Sequence, residues 1–478
     1  MWRRIGSGST LGSISILASG ALGAQLIVVL ASPILTRLYT PAQFGFLAVF
    51  TSILNTVMVV ASLRYQVAVP LAKSDRDAVA TLMLCVLTGV ATALTTLLVV
   101  HYFGAAFARL VKVPDYASWF YLLPIAMLLA GWFEVFRFWN TRTRTFAPIA
   151  KARFQQSVAM TLVQLGFFRF GVAALLIGQV VGRFSGLTRL VLPFHRSMQG
   201  QVRTLTSADL RRQAKEFRRF PVYSTWGTLI NVTGRQLPTV FFAALAGPGV
   251  AGLYALSQRI LATPLSLVSD AISSVFTSRV VPSAGQVDLP GVVRAFHTGL
   301  CLLAAVPTLA LIIVGQDVFG LVFGAEWAAA GLYAALMAPW IFFVFVSTPL
   351  MMVFSVRSRD AELTLCQFLL ALARVAALFA GWSMGQAAWA IGLFSLASSI
   401  AYVGMLARVY VLAGMSMWSM LKPLAGAFGI AALITLPLLL DRRYPGEHPV
   451  LAWGSFVLLA VGYYLWLGRE IVRRAGTR

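Results

Sequence analysis

The sequence predicts an all-α, polytopic membrane protein with about fourteen transmembrane helices. Of its 478 residues, 59% are hydrophobic and only 11% are charged, too few polar residues to cover the surface of a soluble domain. Apolar runs of 18 or more residues recur along the whole chain, and each is long enough to span a bilayer. Lys and Arg concentrate in alternate connections between these runs, the distribution expected of a multi-pass protein.

Fourteen apolar segments predict the helices. They cover residues 12–35, 44–63, 78–100, 119–138, 154–169, 171–194, 222–245, 250–280, 296–314, 328–354, 363–382, 387–407, 420–440 and 450–467. The first segment follows two arginines, as in a signal peptide. Its apolar run continues past any small-residue cleavage site, and we therefore interpret it as an uncleaved helix.

The orientation follows from the Lys and Arg residues of each connection. With a cytosolic N-terminus, 27 of the 38 lie in cytosolic segments, 6 lie in external segments and 5 lie within the helices. Both termini are therefore predicted to be cytosolic. The richest connection, "HRSMQGQVRTLTSADLRRQAKEFRRF", has two interpretations: its charges bind anionic headgroups, or they only fix the topology.

Two stretches of the sequence repeat. Pro41-x-x-x-Gly45 after the first helix corresponds to Pro248-x-x-x-Gly252 after the seventh, and a second similarity pairs segments around Pro124 and Pro339. Six helices separate the copies, so both enter the membrane in the same direction, which predicts two pseudo-symmetric six-helix lobes. The predicted domains are residues 1–208 (helices 1–6), 209–410 (helices 7–12) and 411–478 (helices 13–14).

Three arginines lie near the predicted membrane midplane: Arg235, Arg259 and Arg374. An arginine at this depth costs about 2.5–3.5 kcal/mol on insertion scales. Asn231 lies one turn from Arg235 on the same side of the helix. The arginines have three possible roles: anchoring helices, contributing to a cation or drug site, or lining a cavity for an anion such as a diphosphate, to which a guanidinium binds in a forked geometry.

Acidic residues within the predicted helices are few. Glu134 and Asp270 lie near cytosolic ends and are candidates for binding a coupling ion. Asp270 lies eleven residues after Arg259, about three turns, so the two share a helix face but are about 16 Å apart and too distant to pair. The excess of arginine over acid at mid-depth favours an anion cavity over a cation site.

Two blocks of the sequence resemble a known family. "LASPILTRLYTPAQFGFLAVFTSILNTVMVVASLRYQVAVPLAKSD" and "AKEFRRFPVYSTWGTLINVTGRQLPTVFFAALAGPGVAGLYALSQRILATPLSLVSDAISSVFTSR" resemble bacterial polysaccharide-export flippases. These belong to the multidrug/oligosaccharidyl-lipid/polysaccharide (MOP) superfamily. The resemblance implies alternating access by a V-shaped pair of lobes and an undecaprenyl-diphosphate-linked oligosaccharide as cargo. The motifs "LRY" and "QRI" imply that Arg64 and Arg259 contact the charged head group, and Gln258 in the second motif is a further candidate for substrate binding.

The function expected from this resemblance is a non-enzymatic flippase of the bacterial inner membrane, without cofactor or bound metal. Its expected partners are the lipid-linked oligosaccharide, membrane lipids and a polysaccharide polymerase with its chain-length machinery. The basic residues alternate with apolar spans, which argues against nucleic acid. Three alternatives remain: a drug/cation antiporter of the same superfamily, a glycan polymerase or ligase, and a non-transporting component of a glycan polymerase complex.

Overall fold

The computed structural model describes residues 7–262, 288–444 and 449–476, and within these ranges the chain is helical without β-strands. This confirms the predicted all-α class. The α-helices are α1 (Ser7–Leu38), α2 (Pro41–Val57), α3 (Asp75–Leu110), α4 (Leu123–Arg142), α5 (Phe146–Gly166), α6 (Val172–Arg203), α7 (Ser207–Glu216), α8 (Thr225–Ala246), α9 (248–262), α10 (Leu289–Phe323), α11 (Ala328–Ser347), α12 (Met352–Val356), α13 (Asp360–Trp382), α14 (Ala387–Leu412), α15 (Leu421–Arg443) and α16 (Pro449–Gly476).

Every predicted segment overlaps one of these helices, with the segment 250–280 described only as far as residue 262. Ten helical segments in the described ranges are long and apolar enough to cross a membrane, and α2 is a shorter apolar helix of 17 residues. The count of fourteen membrane crossings stays a prediction.

Helices α3 and α10 are much longer than their predicted segments. They contain 36 and 35 residues, or about 54 and 52 Å at 1.5 Å per residue, well beyond a hydrocarbon core of about 30 Å. The segments 101–118 and 315–327, which lie between predicted helices, are therefore largely helical. Hydropathy predicts where a helix leaves the hydrocarbon and not where the helix ends. Helix α3 ends shortly before Pro114, and α10 ends at Gly324, which has a positive φ.

The order of helices repeats along the chain. The starts of α2 and α9 are 207 residues apart, those of α3 and α10 are 214 apart, and those of α6 and α14 are 215 apart. The turns after α4 and α12 also match, because Arg144 and Ser358 both have positive φ (56° and 55°) at the same place in the turn. The sequence repeat therefore corresponds to a repeat of local structure.

The two Pro-x-x-x-Gly motifs contact one another. A Cβ atom built on Gly45 would lie 1.7 Å from the carbonyl oxygen of Pro248, and one built on Gly252 would lie 1.9 Å from that of Pro41. The contact is reciprocal, because each glycine admits the backbone at the first residue of the other motif. Only glycine allows two helix starts to approach this closely.

The contacts divide the chain into two compact units, Met1–Ala255 and Leu256–Arg478. The reciprocal glycine contact lies within the first unit. The core of the first unit packs buried residues of α3, α4 and α6, and that of the second packs α10, α11, α14 and α15. The domain boundaries predicted from the repeat, after residues 208 and 410, remain a prediction.

The basic connection after α6 contains helix α7, which is held on the start of α3 by ion pairs. Arg76 contacts Asp209 at 2.9 Å, and Arg212 contacts Asp77 at 2.6 Å. The hydrogen bonds from Arg76 and Thr206 lower the pKa of Asp209 from about 3.8 to about 2. One basic residue of this connection, Arg212, therefore has a use beyond the two interpretations above, because it docks α7 against the start of α3.

Candidate functional site

Arg235 lies in the middle of α8, ten residues after Thr225 and eleven before Ala246. Its side chain is exposed, as are those of Asn231 and Thr233. The helix continues without interruption through Gly234 and Pro238. Within the described residues, Arg235 forms no ion pair and no hydrogen bond. At the membrane depth predicted for Arg235, a guanidinium is tolerated where it meets water or a polar ligand, because contact with hydrocarbon is costly.

Arg259 and Gln258 are half-buried in α9. Beside them, the buried Ser257 donates a hydrogen bond of 2.6 Å to the carbonyl oxygen of Ala330 at the start of α11. This bond fixes the turn of α9 that contains both predicted site residues. Asp270, predicted to share a helix face with Arg259, lies outside the described residues.

Arg374, in the middle of α13, packs among aromatic rings. Its guanidinium carbon lies 5.1 Å from the ring centre of Trp340, 5.2 Å from that of Phe394 and 5.9 Å from that of Tyr402. Its Nε donates a hydrogen bond of 2.9 Å to Ser398. The ring faces attract the cation, so these contacts hold α13 against α11 and α14.

Arg64 follows the end of α2, where the backbone is strained. Leu63 and Arg64 have φ values of 48° and 63°, a conformation that costs a non-glycine residue on the order of 1–3 kcal/mol and often marks functional sites. The Nε of Arg64 is buried without a hydrogen-bond partner in the described part of the chain. The next residue, Tyr65, donates to the carbonyl oxygen of Ala214 in α7 at 3.3 Å.

Glu134 is already paired. Its carboxylate accepts a hydrogen bond of 3.0 Å from Nε of Arg137, one turn further along α4, and it also interacts electrostatically with the half-buried Arg183 of α6. Two arginines therefore balance the charge of this predicted ion-coupling residue. Among the described residues, no group of three or more His, Cys, Asp or Glu side chains could hold a metal ion.

A groove of about 640 Å³ lies between α1, α5 and α6, and its polar residues were missed by the sequence analysis. They are Lys151, Gln155 and Arg189. Arg189 Nε donates to Gln155 Oε1 at 2.6 Å, and Gln155 Nε2 donates to Ser185 at 2.8 Å. The sequence did contain one indication of these residues: Lys151 and Gln155 are four residues apart, which places both on one face of a helix.

A second cavity of about 500 Å³ lies on the other side of α6, against α3 and α4. Its lining is apolar except for Thr188, His195 and the indole of Trp132, and it contains no Lys, Arg, Asp or Glu. Cations therefore line one of these two neighbouring cavities and are absent from the other.

Comparison with known proteins supplies the family. The family model described as "Polysaccharide biosynthesis protein" matches residues 34–331, more than half of the chain. The chain belongs to this family. Among curated proteins no sequence matches it. The resemblance to a polysaccharide family, predicted from the sequence, is thereby confirmed.

Solved structures supply the fold. The structure "Lipid II flippase MurJ, inward closed conformation" matches with a TM-score of 0.71 at 13% identity, covering 98% of this chain and 99% of that one. Two structures of the Vibrio cholerae MATE transporter VcmN match with TM-scores of 0.45 and 0.46 at 12% identity, covering 85% and 89% of this chain and 96% and 98% of theirs. The chain therefore has the MurJ fold and is a multi-pass membrane protein of a polysaccharide-biosynthesis family.

Proposed function

We propose that this protein is a flippase of the bacterial inner membrane that moves an undecaprenyl-diphosphate-linked oligosaccharide to the outer face by alternating access, for surface polysaccharide synthesis. One observation carries the proposal: Arg235 is exposed in the middle of α8, a helix predicted from the sequence to cross the membrane, and has no carboxylate partner in the described ranges. A fixed cation in that position provides a polar site for an anion that must cross the bilayer. The polysaccharide family and the MurJ fold support this assignment.

The predicted contacts of the diphosphate head group are Arg64, Arg235, Arg259, Arg374, Asn231 and Gln258. Of these, Arg235 and Asn231 are exposed, and the buried Nε of Arg64 has no hydrogen-bond partner among the residues that the structure describes. The aromatic packing of Arg374 favours an anchoring role for that residue. We place the N- and C-termini in the cytosol on the charge bias of 27 to 6, and reporter fusions after positions 205 and 475 should report cytosol, whereas one after position 445 should report periplasm.

Complementation tests the function. A strain that lacks the gene should lose its surface polysaccharide and accumulate the lipid-linked oligosaccharide on the cytosolic side, and the wild-type protein should restore export. The control is a strain without the glycosyltransferase that begins synthesis of the oligosaccharide, which should lose the polysaccharide without accumulating the intermediate. Normal surface polysaccharide in the deletion strain, with no second flippase present, would contradict the proposal.

The alternatives predict different phenotypes. A drug/cation antiporter needs a carboxylate free to exchange cations, and Glu134 is paired with Arg137. Deletion of an antiporter would raise sensitivity to cationic drugs and leave surface polysaccharide unchanged. A polymerase, a ligase or a non-transporting component would leave translocation of the intermediate intact and stop a later step. Co-purification with the polysaccharide polymerase and chain-length proteins tests the proposed partners.

A further inference from the structure

The groove between α1, α5 and α6 has charges at one end and apolar walls along the rest. Lys151 lies five residues after the start of α5, and Arg189 lies six residues before His195, the end of the candidate span of α6. At 1.5 Å per residue both lie about 8–9 Å from the same end of the bundle. Leu162 lies eleven residues after Lys151, so the apolar wall extends for about 17 Å from the cations.

The charge of the groove is unbalanced. Neither Lys151 nor Arg189 forms an ion pair in the ranges described, and no Asp or Glu lines the groove. A zwitterionic lipid brings an ammonium group that would find no carboxylate there. A diphosphate diester carries one negative charge on each phosphate, which matches the two cations.

The apolar walls fit a lipid tail. Phe154 is 48% exposed and Leu162 is 63% exposed, and both line the groove. Large apolar side chains exposed at membrane depth contact hydrocarbon, whether that of bulk lipid or of a bound chain. The groove therefore suits an amphiphile with an anionic head and a long apolar tail.

Gln155 orients the arginine. Its Oε1 accepts from Arg189 Nε at 2.6 Å, while its own amide is held by Ser185 at 2.8 Å. The bond occupies Nε and leaves the two terminal nitrogens of the guanidinium to bind a ligand in forked geometry. Gln155 is thus a positioning residue for Arg189.

We propose that this groove is the loading site for the polyprenyl diphosphate part of the substrate, with Lys151 and Arg189 on the diphosphate and the prenyl chain along Phe154 and Leu162. The inference rests on the proposed function. In the proposed topology the two cations lie on the cytosolic side, at the depth of the head group before it crosses. The mid-depth arginines would meet the diphosphate only later.

Binding of undecaprenyl diphosphate to the purified full-length protein in phosphatidylcholine nanodiscs tests the proposal. The double variant Lys151→Gln, Arg189→Gln should bind at least about tenfold more weakly, because it loses charge-assisted hydrogen bonds. Arg153→Gln is the matched control, since Arg153 lies two residues from Lys151, is also exposed, and does not line the groove. Equal binding by the double variant and the wild type would overturn the proposal, as would displacement of the diphosphate by equimolar phosphatidylglycerol.

The role of Gln155 has its own measurement. Gln155→Leu keeps both cations but releases Arg189 from its tether, so the preference for undecaprenyl diphosphate over undecaprenyl monophosphate should fall at unchanged thermal stability. An unchanged preference would remove Gln155 from the proposal.

Export in cells separates this proposal from the proposed function. If the wild type restores surface polysaccharide and the double variant does so equally at normal abundance, the loading site is wrong while the flippase function stands. If the wild type itself restores nothing, the proposed function is wrong, and the nanodisc measurement still decides whether the groove binds a diphosphate. Loss of export in the double variant, with Arg153→Gln normal, supports both.

Discussion

The middles of α8 and α13 each contain one arginine, and the two arginines differ in almost every contact. Arg235 of α8 is exposed and has no partner in the described part of the chain. Arg374 of α13 packs on three aromatic rings and donates a hydrogen bond to Ser398. In sequence they share residue type and predicted depth. The predicted depth of an arginine shows that its charge is costly to place in the membrane. The contacts with neighbouring helices then decide whether that arginine stabilises the fold or remains available to a ligand.

The largest expected effect is on export by variants of Arg235. Arg235→Ala should lower export by about 10- to 150-fold at normal abundance, the equivalent of one charge-assisted hydrogen bond of roughly 1.5–3 kcal/mol. Arg235→Lys should retain only part of the wild-type export, because the lysine ammonium is a point charge and cannot form the forked hydrogen bonds of a guanidinium. Surface polysaccharide per molecule of membrane protein measures this. Full export by Arg235→Ala would contradict the assignment of Arg235 to ligand binding, and with it the proposed difference from Arg374.

Thiol labelling should show the second largest contrast. With Cys85, Cys301 and Cys366 replaced by Ala, single cysteines at Thr233 or Asn231 should react with a charged, water-soluble maleimide, because that face of α8 is exposed. A cysteine at the buried Ser398 should stay unmodified. Labelling is followed by gel shift in intact membranes, with denatured protein as the control for full reactivity. An inert Thr233→Cys would mean that this face contacts hydrocarbon.

Arg374 should affect stability more than transport. Arg374→Met keeps most of the side-chain volume but loses the cation–π contacts and the bond to Ser398, and it should lower the free energy of unfolding by about 1–3 kcal/mol. Export per folded molecule should remain near wild type. Leu372→Ala, at an exposed position of the same helix, is the control for the loss of lipid contact. Lost export at unchanged stability would assign Arg374 to the substrate path.

The smallest expected effect is on the docking of α7 against α3. The arginines at this contact, Arg76 and Arg212, have carboxylate partners. The pKa of Asp209 is lowered to about 2, so its contribution to docking is present above its ordinary pKa of about 3.8 and is lost as the pH falls toward 2. A spin-label pair on α7 and α3 should report a growing separation over that range. Asp209→Asn should flatten this pH dependence, and high salt should weaken the contact at neutral pH. An unchanged profile in Asp209→Asn would assign the docking to the uncharged contacts.

Much of the fold could be predicted because it depends on local properties. Apolar runs predicted the helices, and the Pro-x-x-x-Gly motifs predicted the repeat that the helix starts reproduce. Helix ends were predicted poorly where the chain stays helical beyond the hydrocarbon, as in α3 and α10. The groove with Lys151, Gln155 and Arg189 was missed because its residues come from two helices, and hydropathy along one helix carries no information about the next.

The sequence by itself determined that this protein is an all-α membrane protein and which family it belongs to, and it predicted which arginines lie at membrane depth. Composition, periodicity and motif are properties of contiguous residues, and the bilayer acts on each helix separately. Only the tertiary structure decided that the two glycine motifs contact each other and that Arg374 packs among aromatic rings. The physical reason is that the partners of a guanidinium in a helical bundle come from helices far away in sequence: those of Arg374 lie on α11 and α14, and that of Arg189 lies on α5.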